Sequence, residues 1–135
     1  MPSKTFRYES VVRENHLDSL GHMNHIAYLQ LFEEARWQMG YETKLGFDEA
    51  QTLKKCPMIL DIQIRFHREM VLREGITIET TFLEYRKKIA KLEQVMYRPD
   101  GEKACTAMFT YAVLDLVLRK LILPPDFWLK ELELS

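Results

Sequence analysis

Apolar residues recur at three- and four-residue steps through Tyr28, Leu31, Phe32, Ala35 and Met39, while Glu33, Glu34, Arg36 and Gln38 fall mostly off that line. One such stripe is the mark of a half-buried α-helix. Asn24 suits the N-cap and Gly40 a stop, so the spacing predicts a helix of roughly four turns. Further on the period changes to two. Met58, Leu60, Ile62, Ile64 and Phe66 alternate with Asp61, Gln63 and Arg65, which predicts a strand with one apolar face. Gly75–Glu84 alternates through Ile76, Ile78, Thr80 and Phe82, and Ile89–Tyr97 less cleanly through Ala90, Leu92, Gln94 and Met96. Ala104–Leu118 is apolar nearly throughout and suits a central strand buried on both sides. Thr5–Val12, rich in aromatic and β-branched residues, reads as a strand at the start of the chain.

The joints between these runs are legible as well. Pro99-Asp100-Gly101 is a tight-turn signal, and Tyr85-Arg86-Lys87-Lys88 reads as a basic hairpin tip. Arg13–Met23 is a polar loop containing Gly21. Tyr41–Pro57, with Gly46 inside it, is mixed and holds a short helix near Asp48–Lys55; a last short helix starts near Pro125. Consecutive strands with short turns imply an antiparallel sheet. A long helix against a sheet of about five such strands is a two-layer α+β domain. With no repeat or linker in view, residues 1–135 read as a single domain.

Composition narrows the picture. Almost half the residues are apolar, enough for a sizeable core. The net charge of −1 offers no bulk attraction to nucleic acid. The longest apolar run, around Tyr111–Leu118, is interrupted by Asp115 and is too short to span a bilayer. The first residues lack an apolar signal core. The expectation is a cytoplasmic protein without a membrane span. Cys56 and Cys105 stand far apart outside any CxxC pattern, and reduced, hydrophobe-like cysteines are the simplest reading.

Candidate chemistry concentrates between Asn15 and Asn24, where Asp18 lies in a polar loop just ahead of the long helix. The first N–H groups of a helix have no internal partners, and the helix dipole favours negative charge there. Such an end can polarise a carbonyl. A carboxylate beside it is what acyl-group hydrolysis requires, although an aspartate is also a common loop-capping residue. His16, His22, His25 and His67 match no standard zinc spacing, so neither a metal nor another cofactor is expected.

The run Asp18-x-x-Gly21-His22-Met23-Asn24, followed by Tyr28-Leu29 and Phe32-Glu33-Glu34-Ala35-Arg36, resembles the 4-hydroxybenzoyl-CoA thioesterase-like group of hotdog-fold thioesterases. The family pattern is Asp-x-x-Gly-His-Val-Asn-Asn, then Tyr-Leu and Phe-Glu-x-Ala-Arg, and the likeness runs from about Phe6 to Leu123. It implies a curved antiparallel sheet wrapped around a central helix. It also implies an acyl-CoA thioesterase that assembles as a homodimer or homotetramer, with sites between subunits. Asp18 would be the nucleophile or general base. Gly21 would let the loop turn, His22 would orient Asp18 or the substrate, and the amide of His25 would polarise the thioester carbonyl. Asn24, an N-cap by its residue type, and Tyr28 join the substrate site. Arg86, Lys87 and Lys88 would attract coenzyme A phosphates, with His67-Arg68 and Arg73 a second group of that kind. Two departures stand out: His16 where many members carry a second Asp, and His25 where the pattern has Asn. An acyl-carrier-protein thioesterase and a non-catalytic acyl-binding protein are the alternatives. Trp37, Met39, Phe47, Met58 and Leu60 are candidates for lining the acyl pocket.

Overall fold

The computed structural model describes residues 4–43 and 47–132. Five antiparallel strands lie side by side in the order β1 (Thr5–Val11), β3 (Gly75–Arg86), β4 (Ile89–Tyr97), β5 (Lys103–Asp115) and β2 (Lys55–Phe66). A short sixth strand, β6 (Lys120–Ile122), pairs with the end of β5. Helix α1 (His25–Glu42) lies against this curled sheet, with α2 (Phe47–Leu53) and α3 (Asp126–Glu131) as short additions. The hotdog arrangement implied by the sequence resemblance is therefore what forms. Gly46 and the side chain of Phe47 lie outside the described residues.

The predicted helical stripe is the buried one: Tyr28, Leu31, Phe32, Ala35 and Met39 all face the core. Opposite them stand Ile76 and Ile78 of β3, Met96 of β4 and Phe109 of β5, each close to fully buried. Phe32 meets Phe109 edge to face, with centroids 6.2 Å apart. Each such side chain contributes roughly 1.5–3 kcal/mol by leaving water. The helix does not stop at Gly40. That residue is buried within the last turn, and the helix ends two residues later at Glu42, with Thr43 as its cap.

Two strand readings need correction. β5 ends at Asp115, not Leu118, because Asp115 Oδ1 accepts the backbone N–H groups of Val117 and Leu118 at 2.9 Å each and folds the chain into β6. The apolar run simply continues across an exposed turn, with Val117 72% exposed. β2 is interrupted by a bulge: Ile59 pairs with Tyr111 and Asp61 with Thr110, which leaves Leu60 without a partner in the ladder. A single extra residue reverses the alternation. Ile59 thus joins the side of Ile62, Ile64 and Phe66, while Met58 goes to the other. Nor is either face of β2 closed: it is the sheet's edge strand, and Met58, Leu60, Ile62 and Phe66 are each more than 40% exposed.

The core also carries buried phenols. The hydroxyls of Tyr85 and Tyr111 share a hydrogen bond of 2.7 Å. Burial pushes both well above the ordinary tyrosine range, and pushes Tyr28 up to about 12. Unfolded tyrosines ionise near pH 10, whereas these stay protonated in the fold. Between about pH 10 and 12 the unfolded chain therefore holds fewer protons than the folded one, and stability falls as pH rises. Burial also pushes the Cys105 thiol up to about 12, so the denaturant midpoint should begin to fall at about pH 9, where a free thiol ionises, and drop more steeply above about pH 10. A midpoint unchanged at about pH 11 would contradict this.

Candidate active site

The loop before α1 is held by its own backbone. Asp18 N–H donates to His22 O at 2.9 Å, Gly21 N–H donates to Asp18 O at 3.2 Å, and Leu17 bridges Met23. Gly21 sits at φ 86°, the left-handed region that a glycine enters without strain. His16, where the family pattern often has an aspartate, is buried and structural: its Nδ1 accepts Arg13 N–H at 2.9 Å, and its carbonyl receives the N–H and Nδ2 of Asn24.

This closed loop divides the two oxygens of Asp18. Oδ1 accepts Leu20 N–H at 2.8 Å and His22 N–H at 3.4 Å. Oδ2 has no hydrogen-bond partner among the described residues. The helix start is divided in the same way. Asn24 Oδ1 accepts the N–H groups of Ile26 at 2.9 Å and Ala27 at 3.0 Å, as an N-cap should. The amide of His25, the first residue of α1, is left without a partner among the described residues.

Asp18, His22, His25 and Tyr28 line one open cleft of about 320 Å³. Gly21 and Asn24 are not among its lining residues. The far wall comes from the end of β2 and the residues after it: Phe66, His67, Arg68 and Glu69. Tyr28 packs edge to face on Phe66, centroids 5.0 Å apart, and His22 Nε2 lies 3.0 Å from Glu69 Oε2. Phe66 and Glu69 carry no sequence signal for this role. They arrive because Met23 N–H donates to Met70 O at 2.9 Å and His22 bridges Val71, pinning two distant segments together. Among the described residues, no group of three or more His, Cys, Asp or Glu is placed to hold a metal ion.

The basic tip is elsewhere in the chain. Arg86 pairs with Ile89 around Lys87 and Lys88, and the next rung leads through Ala90 to Tyr111 on β5. The cleft adjoins Phe66, which pairs with Cys105 at the other end of β5. That separation is about 20 Å of strand. Within one chain Arg86, Lys87 and Lys88 do not reach the cleft. Arg68 does, although its Nε also pairs with Glu102 at 3.0 Å; Arg73 is held by Glu14 at 2.7 Å. Of the expected pocket residues, Trp37 and Met39 line a second cavity, and Met58 and Leu60 are absent from that lining because of the bulge.

Asp18, with a free carboxylate oxygen, and His25, with a free helix-start amide, line one cleft, a combination suited to attack on a polarised carbonyl. Residues 12–132 match the thioesterase-like superfamily, and the chain belongs to it. It is 32% identical over 110 residues to the long-chain acyl-CoA thioesterase FadM of Escherichia coli strain K12, covering 81% of this chain and 83% of that one. Among solved structures it is similar to YbaW, a probable thioesterase from Escherichia coli, with 27% identity, 95% and 96% coverage and a TM-score of 0.85. It also shares its fold with the protein SAV2348 from Staphylococcus aureus, solved in complex with CoA, with 19% identity, 98% and 84% coverage and a TM-score of 0.90.

Proposed function

We propose that this chain hydrolyses acyl-CoA thioesters at the Asp18 cleft. The observation that carries the reading is the pair of unsatisfied groups there, Asp18 Oδ2 and His25 N–H. The amide accepts the thioester oxygen and stabilises the negative charge that develops on it. Asp18 either attacks the carbonyl carbon, giving a mixed anhydride that water then opens, or takes a proton from the attacking water. In both routes the C–S bond breaks and the CoA thiolate leaves. Gly21 and Asn24 hold the loop and helix start in place, and His22, fixed by Glu69, borders the carboxylate. Tyr28 and Phe66 supply an apolar wall for the acyl group. The relative named a long-chain acyl-CoA thioesterase supports acyl chains at the long end.

The working unit in this proposal is a homodimer joined along β2. The exposed apolar side chains on that edge support it. Antiparallel self-pairing about the middle of β2 sets its Lys55 end against the Phe66 end of a second copy. That brings Arg86, Lys87 and Lys88 of one subunit to the end of the molecule where the other subunit holds its cleft, so the cations can meet the CoA phosphates. Light scattering at known concentration should give twice the chain mass, and a monomer would remove this part of the reading. No helix among the described residues is long and apolar enough to cross a membrane. The two free cysteines support a reducing, cytoplasmic setting.

A panel of short-, medium-, long-chain and aromatic acyl-CoAs, with matched acyl-carrier-protein thioesters beside them, tests the activity. Hydrolysis of acyl-CoA is expected, and turnover of none of them by the wild type would end the proposal.

A further inference from the structure

A second cavity, of about 360 Å³, lies at the other end of α1 from Asp18, between the helix and the sheet. It is within the size range of small-ligand sites, about 300–1,000 Å³. Most of its wall is apolar: Trp37 and Met39 of α1, Ile59 of β2, Phe82 of β3 and Leu92 of β4. Among its side chains, Arg36, Tyr111 and Trp128 carry N–H or O–H donors. Arg36 of α1 enters with its guanidinium carbon 4.6 Å from the centre of the Phe109 ring. One N–H, on Nη1, goes to Gln94 Oε1 at 2.7 Å, and Gln94 is itself anchored to Phe32 O and Thr80 Oγ1. The other N–H groups of Arg36 have no partner among the described residues.

Two further donors line the same space. Trp128 of α3 is 6% exposed, and its buried indole N–H faces the Tyr85 and Tyr111 hydroxyls without closing to hydrogen-bond distance on any described residue. In the Tyr85–Tyr111 pair one hydroxyl donates to the other, which leaves one O–H proton of the pair unused, and Tyr111 lines the cavity. Glu33 is the one carboxylate in the lining among the described residues. It is exposed and forms no ion pair with Arg36, although its charge acts on the guanidinium from a distance. Burial lowers the pKa of Arg36 from the ordinary arginine value. A cation in an apolar chamber with spare donors calls for a ligand that only accepts, carries negative charge and is otherwise greasy.

We propose that this cavity binds an aliphatic carboxylate, its charged end on Arg36 and its chain against the aromatic and aliphatic wall. Carboxylate oxygens accept without donating, which matches the donor excess, and the planar guanidinium suits a two-oxygen partner. An acid released at Asp18 is a ligand of this class. The binding itself does not depend on hydrolysis.

The test uses the full chain and two probes, decanoate and 1-decanol, kept below the concentrations at which they aggregate. Calorimetric titration of the wild type is expected to give saturable decanoate binding, at least about tenfold tighter than decanol, from a charge-assisted contact. Arg36→Met should erase that preference, binding acid and alcohol alike. Arg36→Lys should retain part of it, and Trp128→Phe should weaken decanoate binding several-fold; these variants keep the test open if Arg36→Met does not fold. Asp18→Asn should bind decanoate as the wild type does. Equal affinity of the wild type for acid and alcohol, or an undiminished preference in folded Arg36→Met, overturns the proposal. Because binding is read in Asp18→Asn as well, failure here is distinct from failure to hydrolyse acyl-CoA.

Discussion

Asp18→Asn is expected to lower kcat on the best acyl-CoA by about 10²–10⁴-fold while leaving the thermal midpoint almost unchanged. The choice of asparagine follows from the division of labour in the carboxylate. Oδ1 receives Leu20 and His22 N–H groups and so holds the loop. An asparagine keeps an oxygen there and replaces the free Oδ2 by an amide that neither attacks a carbonyl nor takes a proton at neutral pH. Asp18→Ala removes both oxygens, so it should lose loop order along with activity. Steady-state rates with circular dichroism on the same samples separate the two effects. An asparagine variant as active as the wild type would show that Asp18 only shapes the loop.

The second large effect is on stability. Phe109→Ala is expected to destabilise the fold by about 3–5 kcal/mol, against a total of about 5–15 kcal/mol for a typical domain. Phe109 is 1% exposed, packs edge to face on Phe32, and carries the Arg36 guanidinium on its ring. Truncation leaves a void beneath the helix and removes the surface on which the buried cation rests. The thermal midpoint should fall by roughly 10–20 °C. Phe109→Leu, which keeps most of the volume, should fall much less. If the alanine variant melted within a few degrees of the wild type, the ring would not be what ties α1 to the sheet.

The main elements of this fold were readable because they obey strict periods. The α1 stripe and the alternation of β3 appear in the structure on the faces the residues predict. What escaped was whatever breaks a period without changing composition. Leu60 is as apolar as its neighbours, so nothing in the residue types marks it as a bulge. The run Leu116–Leu118 is apolar and yet forms a turn, because Asp115 caps it. The candidate site divided along similar lines. Asp18, Gly21, His22, Asn24 and His25 are contiguous, and local turn and cap chemistry makes them visible. Phe66 and Glu69 reach the cleft only through long-range pairing, which one sequence does not display. Arg36 lies off the apolar stripe beside two glutamates, and nothing in those residue types shows that it is turned under toward Phe109.

The Asn24 cap has a consequence for what can dock at the head of α1. An uncapped helix start offers several converging amides and suits a tetrahedral oxyanion such as phosphate. Here two of them are already taken by the asparagine side chain, and a lone donor remains at His25. A lone donor matches one oxygen of a planar acyl group far better than a multi-oxygen anion. In the proposed site, trimming the helix end in this way would favour a thioester oxygen over an inorganic oxyanion.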